Sequence, residues 1–160
     1  MTAQKNKLQK GFTLIELLVV IGILAVLLAI TLIAINPARQ FGQANDTKRR
    51  SDITQILNAI GQYSASNAGN LPAELVALDD SEATRFDDTN FGSLCTDIAG
   101  DYIPAIPADP SLNNSDGIVD TDCAVAGWDT GYTITKDANN RVTVSAPLAF
   151  AGATAITVTR

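Results

Sequence analysis

Histidine is absent from this chain. Its absence removes Ser-His-Asp and Cys-His catalysis and every zinc site built on imidazole. Cysteine is scarce: Cys95 and Cys123 stand alone, without C-x-x-C spacing. Positive charge is thin and unevenly placed. From Leu71 onward there are 14 acidic and 4 basic side chains, a net of −10. Such a stretch repels phosphate backbones and anionic lipid surfaces, so no nucleic-acid contact is expected, and solubility is the simplest use of the acidity. Charge of either sign is missing between Leu17 and Ile35, where only Gly22 and Thr31 are not plainly apolar.

What is present is equally uneven. A polar leader with Lys5, Lys7 and Lys10 ends at Gly11, and an apolar run then begins at Phe12 with one carboxylate, Glu16, near its start. A lone ionised carboxylate at the edge of an apolar run is costly in hydrocarbon unless it is paired. An ordinary secretory signal places its small-residue cleavage site after the apolar stretch. Here Asn36-Pro37-Ala38-Arg39 follows the run, and the conspicuous small residue, Gly11, precedes it. Cutting after Gly11 would take the formal charge from −6 to −9 by removing the three lysines. It would create an amino group at Phe12, four residues from Glu16, and leave the apolar segment in the mature chain.

The segment Lys10-Gly11-Phe12-Thr13-Leu14-Ile15-Glu16-Leu17-Leu18-Val19-Val20 resembles the prepilin leader of type IV pilins and type II secretion pseudopilins. The resemblance covers about the first quarter of the chain. It implies a membrane aspartyl peptidase that cuts between Gly11 and Phe12 and methylates Phe12, with Glu16 used for filament assembly. It also implies the partners: further copies of the chain in a helical polymer, the prepilin peptidase, a membrane platform and the inner membrane before assembly. The plainer reading is an anchor, since ~20 apolar residues span a bilayer. An anchor has no need of a glutamate inside its edge.

The leader lysines favour a cytoplasmic N-terminus. Arg39, Lys48, Arg49 and Arg50 follow the run and are partly offset by Asp46 and Asp52, so the charge bias is weak. Cysteine usage tips the balance. In the cytosol Cys95 and Cys123 would be buried thiols; outside the membrane an even pair in a loop-rich head reads as a disulfide. The resemblance supports that bridge, since pilin heads commonly carry one near the C-terminus. The expected location is the cytoplasmic membrane, single-pass with the head outside, and then an extracellular filament.

The expected organisation is a leader over 1–11, a transmembrane or filament-core helix over 12–35, the amphipathic second half of a long helix over 36–70, and a globular head over 71–160. Asn36-Pro37 reads as a break, because Asn caps helices and Pro is favoured at the first helical position. A second helix then runs from about Pro37 to Ala68, with Ile53, Ile56, Leu57, Ile60 and Tyr63 on one face. Asp46, Lys48, Arg49, Arg50 and Asp52 form its more polar middle, and Gly69-Asn70 is its stop. Nearly continuous from Phe12, such a helix would be ~85 Å long. Leu71 to Asp101 reads as an irregular connection with a short helix near Ala73–Leu78. Three prolines in Tyr102–Pro110 exclude a central strand there. Tyr132–Lys136 and Arg141–Ser145 alternate around the turn residues 137–140, and 155–159 looks like a third strand. The fold class is α+β, and the resemblance gives it the lollipop layout of a pilin: a long helix on a small antiparallel sheet.

Other candidate chemistry is weaker. No cofactor or metal is required. Asn114, Asp116, Asp120 and Asp122 alternate around Gly117 in a way that suits Ca²⁺. The EF-hand pattern fails, because Leu112 would fall at the first ligand and Cys123 at the bidentate glutamate. A solvated Asx-rich turn is the competing reading. Asp79/Asp80 and Asp87/Asp88 could suggest glycosidase carboxylates, but adjacent acids in a loop read better as solvated charge. Trp128 and Tyr132 suit packing better than a sugar platform. Three functions stand side by side, none of them enzymatic: a pilus subunit, a pseudopilin of a secretion or DNA-uptake system, and a membrane-anchored ligand-binding head.

Overall fold

A computed structural model of the chain describes residues 11–112, 116–150 and 155–160. Residues 1–10, which carry most of the leader, and Asn114 of the calcium candidate lie outside the described residues. The structure is α+β, with a long apolar N-terminal helix and an antiparallel sheet of four strands. Two compact units make up the chain, Met1–Gln40 and Phe41–Arg160.

The first unit is dominated by α1, Leu14–Ile35. It is apolar on every side and buries none of its residues, the composition of a helix whose surroundings are lipid or other apolar helices. Its 22 residues reach ~33 Å at 1.5 Å per residue, about the thickness of a bilayer core. Asn36 ends it with a left-handed φ of 46°, and α2, Pro37–Ser66, begins at once. The Asn36 side chain accepts the Arg39 N–H at 3.4 Å, and Pro37 has no N–H to leave unpaired.

In the second unit α2 lays Ile53, Ile56, Leu57 and Ile60 onto the core. The turn 66–70 closes the helix with Ala68 at φ 57° and Gly69 at φ 88°. The sheet has the order β1-β2-β3-β4, with β1 at Thr84–Asp87, β2 at Asp129–Lys136, β3 at Val142–Ala146 and β4 at Ile156–Thr159. All neighbours are antiparallel, with Ile134 opposite Val144 and Val144 opposite Val158. Alternation puts Val142, Val144 and Ala146 inside and Thr143 and Ser145 outward. The β2–β3 turn is tied by Asp137, which accepts the N–H groups of Asn139 at 2.8 Å and Arg141 at 2.9 Å.

The region 71–101 is not the irregular connection expected from the sequence. The short helix expected near Ala73–Leu78 is α3, Ala73–Val76, but the region also holds the edge strand β1 and a further helix, α4, at Asp88–Ile98. Only Phe86 is apolar in β1, so no alternation is visible. The helical period of α4 is broken at Phe91, whose φ and ψ of −139° and 38° leave the helix. Glu74 repairs that break: its carboxylate accepts the N–H groups of Ser93 at 2.9 Å and Leu94 at 2.7 Å. Phe91, Leu94 and Ile98 still reach the core, and Phe86 meets Phe91 and Trp128 edge to face. Cys95 of α4 is joined by a disulfide to Cys123 of α5, Asp120–Cys123, with Cα atoms 5.5 Å apart.

Candidate functional site: the start of the apolar helix

Thr13 leads into α1, and the first turn is set by a reciprocal cap. Thr13 Oγ1 accepts the Glu16 N–H at 3.3 Å. Glu16 Oε2 accepts the Thr13 N–H at 2.8 Å and the Thr13 hydroxyl at 2.7 Å. This capping box satisfies two of the donors that a helix start leaves without partners. The carboxylate also sits at the positive end of the helix dipole. Glu16 is the only charged residue of α1, and nothing else of the described chain approaches it closely enough to bond.

Gly11 and Phe12 precede the cap in exposed, non-helical chain. A Cβ on Gly11 would meet nothing within 4 Å. The bond between them is therefore sterically open, and only Phe12 and Thr13 separate it from the helix. Phe12 is exposed, as are Ile15, Val19 and Val20. The arrangement places a carboxylate, an open peptide bond and an apolar surface within one turn and a short extension of chain. Among the described residues it brings together no nucleophile–base pair.

The other residues singled out in the sequence take structural places. Trp128 and Tyr132 are buried in the core rather than exposed as a platform. Asp87 caps α4 by accepting the Asn90 N–H at 3.0 Å, and Asp88 accepts the Gly127 N–H at 2.8 Å. Asp80 pairs with Lys136 at 2.7 Å. Asp122 accepts the Val119 N–H at 3.1 Å, while Asp120 lies beside Gly100. Asp116 and Asp122 line one shallow cavity of about 370 Å³ with Trp128. Among the described residues no group of three or more metal-ligating side chains comes together.

Two buried polar pairs went unread in the sequence. Arg49 donates from Nε to Asp109 Oδ2 at 2.7 Å and from Nη2 to Asp109 Oδ1 at 2.9 Å. It also donates from Nη1 to Asp46 at 2.8 Å and from Nη2 to Ser111 at 2.6 Å. The Ser111 N–H and hydroxyl both donate to Asp109. Tyr132 donates its phenolic proton to Asp52 Oδ2 at 2.8 Å. Burial pushes the Asp109 carboxyl up, but the hydrogen bonds from Arg49 and Ser111 outweigh it and hold it below the usual carboxylate range. At Asp52 burial wins over the Tyr132 hydrogen bond, and the carboxyl is raised. The signal was available: Arg49, Asp52 or Ile53, Ile56 and Ile60 repeat every three or four residues, so Arg49 and Asp52 occupy core-facing positions of α2.

No curated protein and no solved structure matches the chain. Residues 6–32 match the prokaryotic N-terminal methylation motif, a span that contains Gly11, Phe12, the Thr13–Glu16 cap and most of α1. The chain therefore carries the prepilin-type signature, as type IV pilins and pseudopilins do, on an apolar helix long enough to cross a membrane.

Proposed function

We propose that this chain is the structural subunit of a type IV pilus-like filament. A prepilin peptidase cuts between Gly11 and Phe12 and methylates the new amine, and α1 then holds the subunit in the cytoplasmic membrane until assembly. The observation that carries the reading is the single carboxylate of Glu16 at the start of a helix that buries nothing of its own chain. An apolar surface of that extent demands either lipid or the same helix of neighbouring copies.

Assembly moves α1 from lipid into a bundle of identical helices. Contacts that repeat head to tail without closing generate an open helical filament. Glu16 provides the register. A neighbouring copy's Phe12 amine, positive after the cut, is the cation that complements it, and pairing in an apolar core penalises any stacking that leaves the carboxylate alone. The family signature is one of structural rather than catalytic proteins, in keeping with a chain whose activity is polymerisation.

Intact-mass measurement on membrane and sheared-filament protein tests the reading. The expected mass is that of a chain beginning at Phe12 with one added methyl group. A mature chain that keeps residues 1–11, or one cut after Ile35, refutes it.

A further inference from the structure

We propose that the end of the second unit bearing Phe41, Leu148 and Phe150 rests on the lipid–water interface while the subunit is still in the membrane. The inference rests on the membrane-inserted reading of α1. Three large apolar side chains are exposed at this end: Phe41 by 71 %, Leu148 by 43 % and Phe150 by 36 %. Phe150 is held there by the fold. The Phe150 ring lies over Gly42, with no room for a Cβ, and its N–H donates to Asp46 at 3.0 Å. A fixed apolar rim on a soluble unit calls for a cover.

Chain length limits what that cover can be. Phe41 follows Ile35, the last residue of α1, by six positions. Those six residues span ~9 Å if helical and at most ~20 Å if extended. The headgroup layer on each side of the hydrocarbon is roughly 5–8 Å thick. Phe41 is therefore tethered beside the interface whatever the angle between the units, and a tether of this length gives a millimolar effective concentration of rim at lipid.

The charge of the second unit favours the same placement, despite its net acidity. Many of the exposed acids lie away from the rim. Ser66 ends α2 about 37 Å along the helix from Phe41. Ser66 bonds to Tyr102, next to Asp101, and Asp120 neighbours Gly100. Asp80 is held by Lys136, which enters the turn whose Asn140 lines a groove with Ser64. Near the rim Asp46 and the buried Asp109 share the one guanidinium of Arg49, whereas Lys48 and Arg50 are exposed and have no ion-pair partner among the described residues. An anionic surface attracts the Lys48 end and repels the far one. Apolar side chains on such a face enter the headgroup–acyl boundary.

Brominated lipids test the contact. The full-length chain is reconstituted into vesicles of phosphatidylcholine and phosphatidylglycerol with brominated acyl chains, and insertion is checked by flotation. Trp128, the only native tryptophan, is buried, so the wild type gives the baseline. Leu148→Trp is expected to add a blue-shifted emission that the bromolipid largely removes. Adding Phe41→Asp, at an exposed site, is expected to restore that emission. Emission at the wavelength of a water-exposed indole, with no quenching, overturns the proposal while floating vesicles leave the membrane reading intact. A blue shift without quenching overturns it too, since the cover would then be a second copy. Failure of the wild type to float overturns both.

Discussion

Arg49 grips Asp109 through two parallel hydrogen bonds of 2.7 and 2.9 Å, although sixty residues separate them in the chain. Both are buried, Arg49 to 3 % exposure and Asp109 to 0 %. The pair fastens α2 to the segment before β2. Gly131 makes the approach possible: a Cβ there would lie 2.7 Å from Asp109 Cβ.

Breaking this pair from one side leaves an uncompensated buried charge. Asp109→Asn is expected to destabilise the second unit by about 3–5 kcal/mol, and Arg49→Lys to fall short of wild type because an ammonium cannot reproduce the fork. Urea unfolding at neutral pH measures both. Asp109 titrates below its ordinary value, so its contribution is full above the unfolded pKa of about 3.9 and is lost as pH falls through the lower folded value. Acid unfolding of wild type that is no steeper than that of Asp109→Asn would contradict this.

Asp52 behaves with the opposite sign. Its carboxyl is raised, so the folded state favours the protonated form, and stability is lost as pH rises through the folded value. Asp52→Asn keeps an acceptor for the Tyr132 hydroxyl and removes the charge. Its expected effect at pH 7 is neutral to stabilising, and it should flatten the pH dependence of stability above about pH 4. A marked loss of stability at neutral pH argues that the Asp52 charge is needed.

The Cys95–Cys123 bridge closes a separation of 28 residues around the proline-rich segment. Replacing both cysteines with serine is expected to cost about 2–4 kcal/mol. The comparison is denaturant unfolding of the double variant with oxidised wild type. Equal midpoints with equal slopes refute a stabilising role.

Gly42 is expected to tolerate no side chain while Phe150 is present, because a Cβ would enter the ring. Gly42→Ala should displace the segment 147–150 and destabilise by roughly 1–3 kcal/mol, as overpacking does. Phe150→Ala should recover part of that loss in the double variant. Additive losses in a double-mutant cycle would show that the two residues do not meet.

Glu16→Gln preserves the shape of the side chain without its charge. The expected outcome is a subunit that is processed and membrane-inserted but poorly incorporated, read as the ratio of sheared filament to membrane-bound protein, with cleavage checked by mass. Wild-type filament yield from fully processed variant rules out the assembly role.

The apolar helix is legible in the sequence because composition alone decides it: nineteen residues from Leu17 to Ile35 carry no charge. The β2–β3 hairpin is legible because Thr133, Ile134 and Thr135 and their partners Ser145, Val144 and Thr143 alternate around a turn rich in Asp and Asn. The prepilin signature is legible because its residues are neighbours in the chain. What stays hidden depends on distant partners. Strand β1 has one apolar residue and exists because β2 pairs with it. Helix α4 survives its break at Phe91 because Glu74, nineteen residues before Ser93, supplies the missing acceptors. Arg49 and Asp52 look like solvated charges until Asp109 and Tyr132 are placed against them.

If the chain polymerises as proposed, the Thr13–Glu16 cap has a consequence for filament growth. A subunit waiting in the membrane does not present a bare carboxylate, since Oε2 is already shared by the Thr13 amide and hydroxyl. An arriving amine from a neighbour must compete with those donors, so joining the polymer is an exchange of partners rather than the quenching of a naked charge. On the proposed filament reading, a subunit that leaves the polymer would fold its glutamate back onto its own helix.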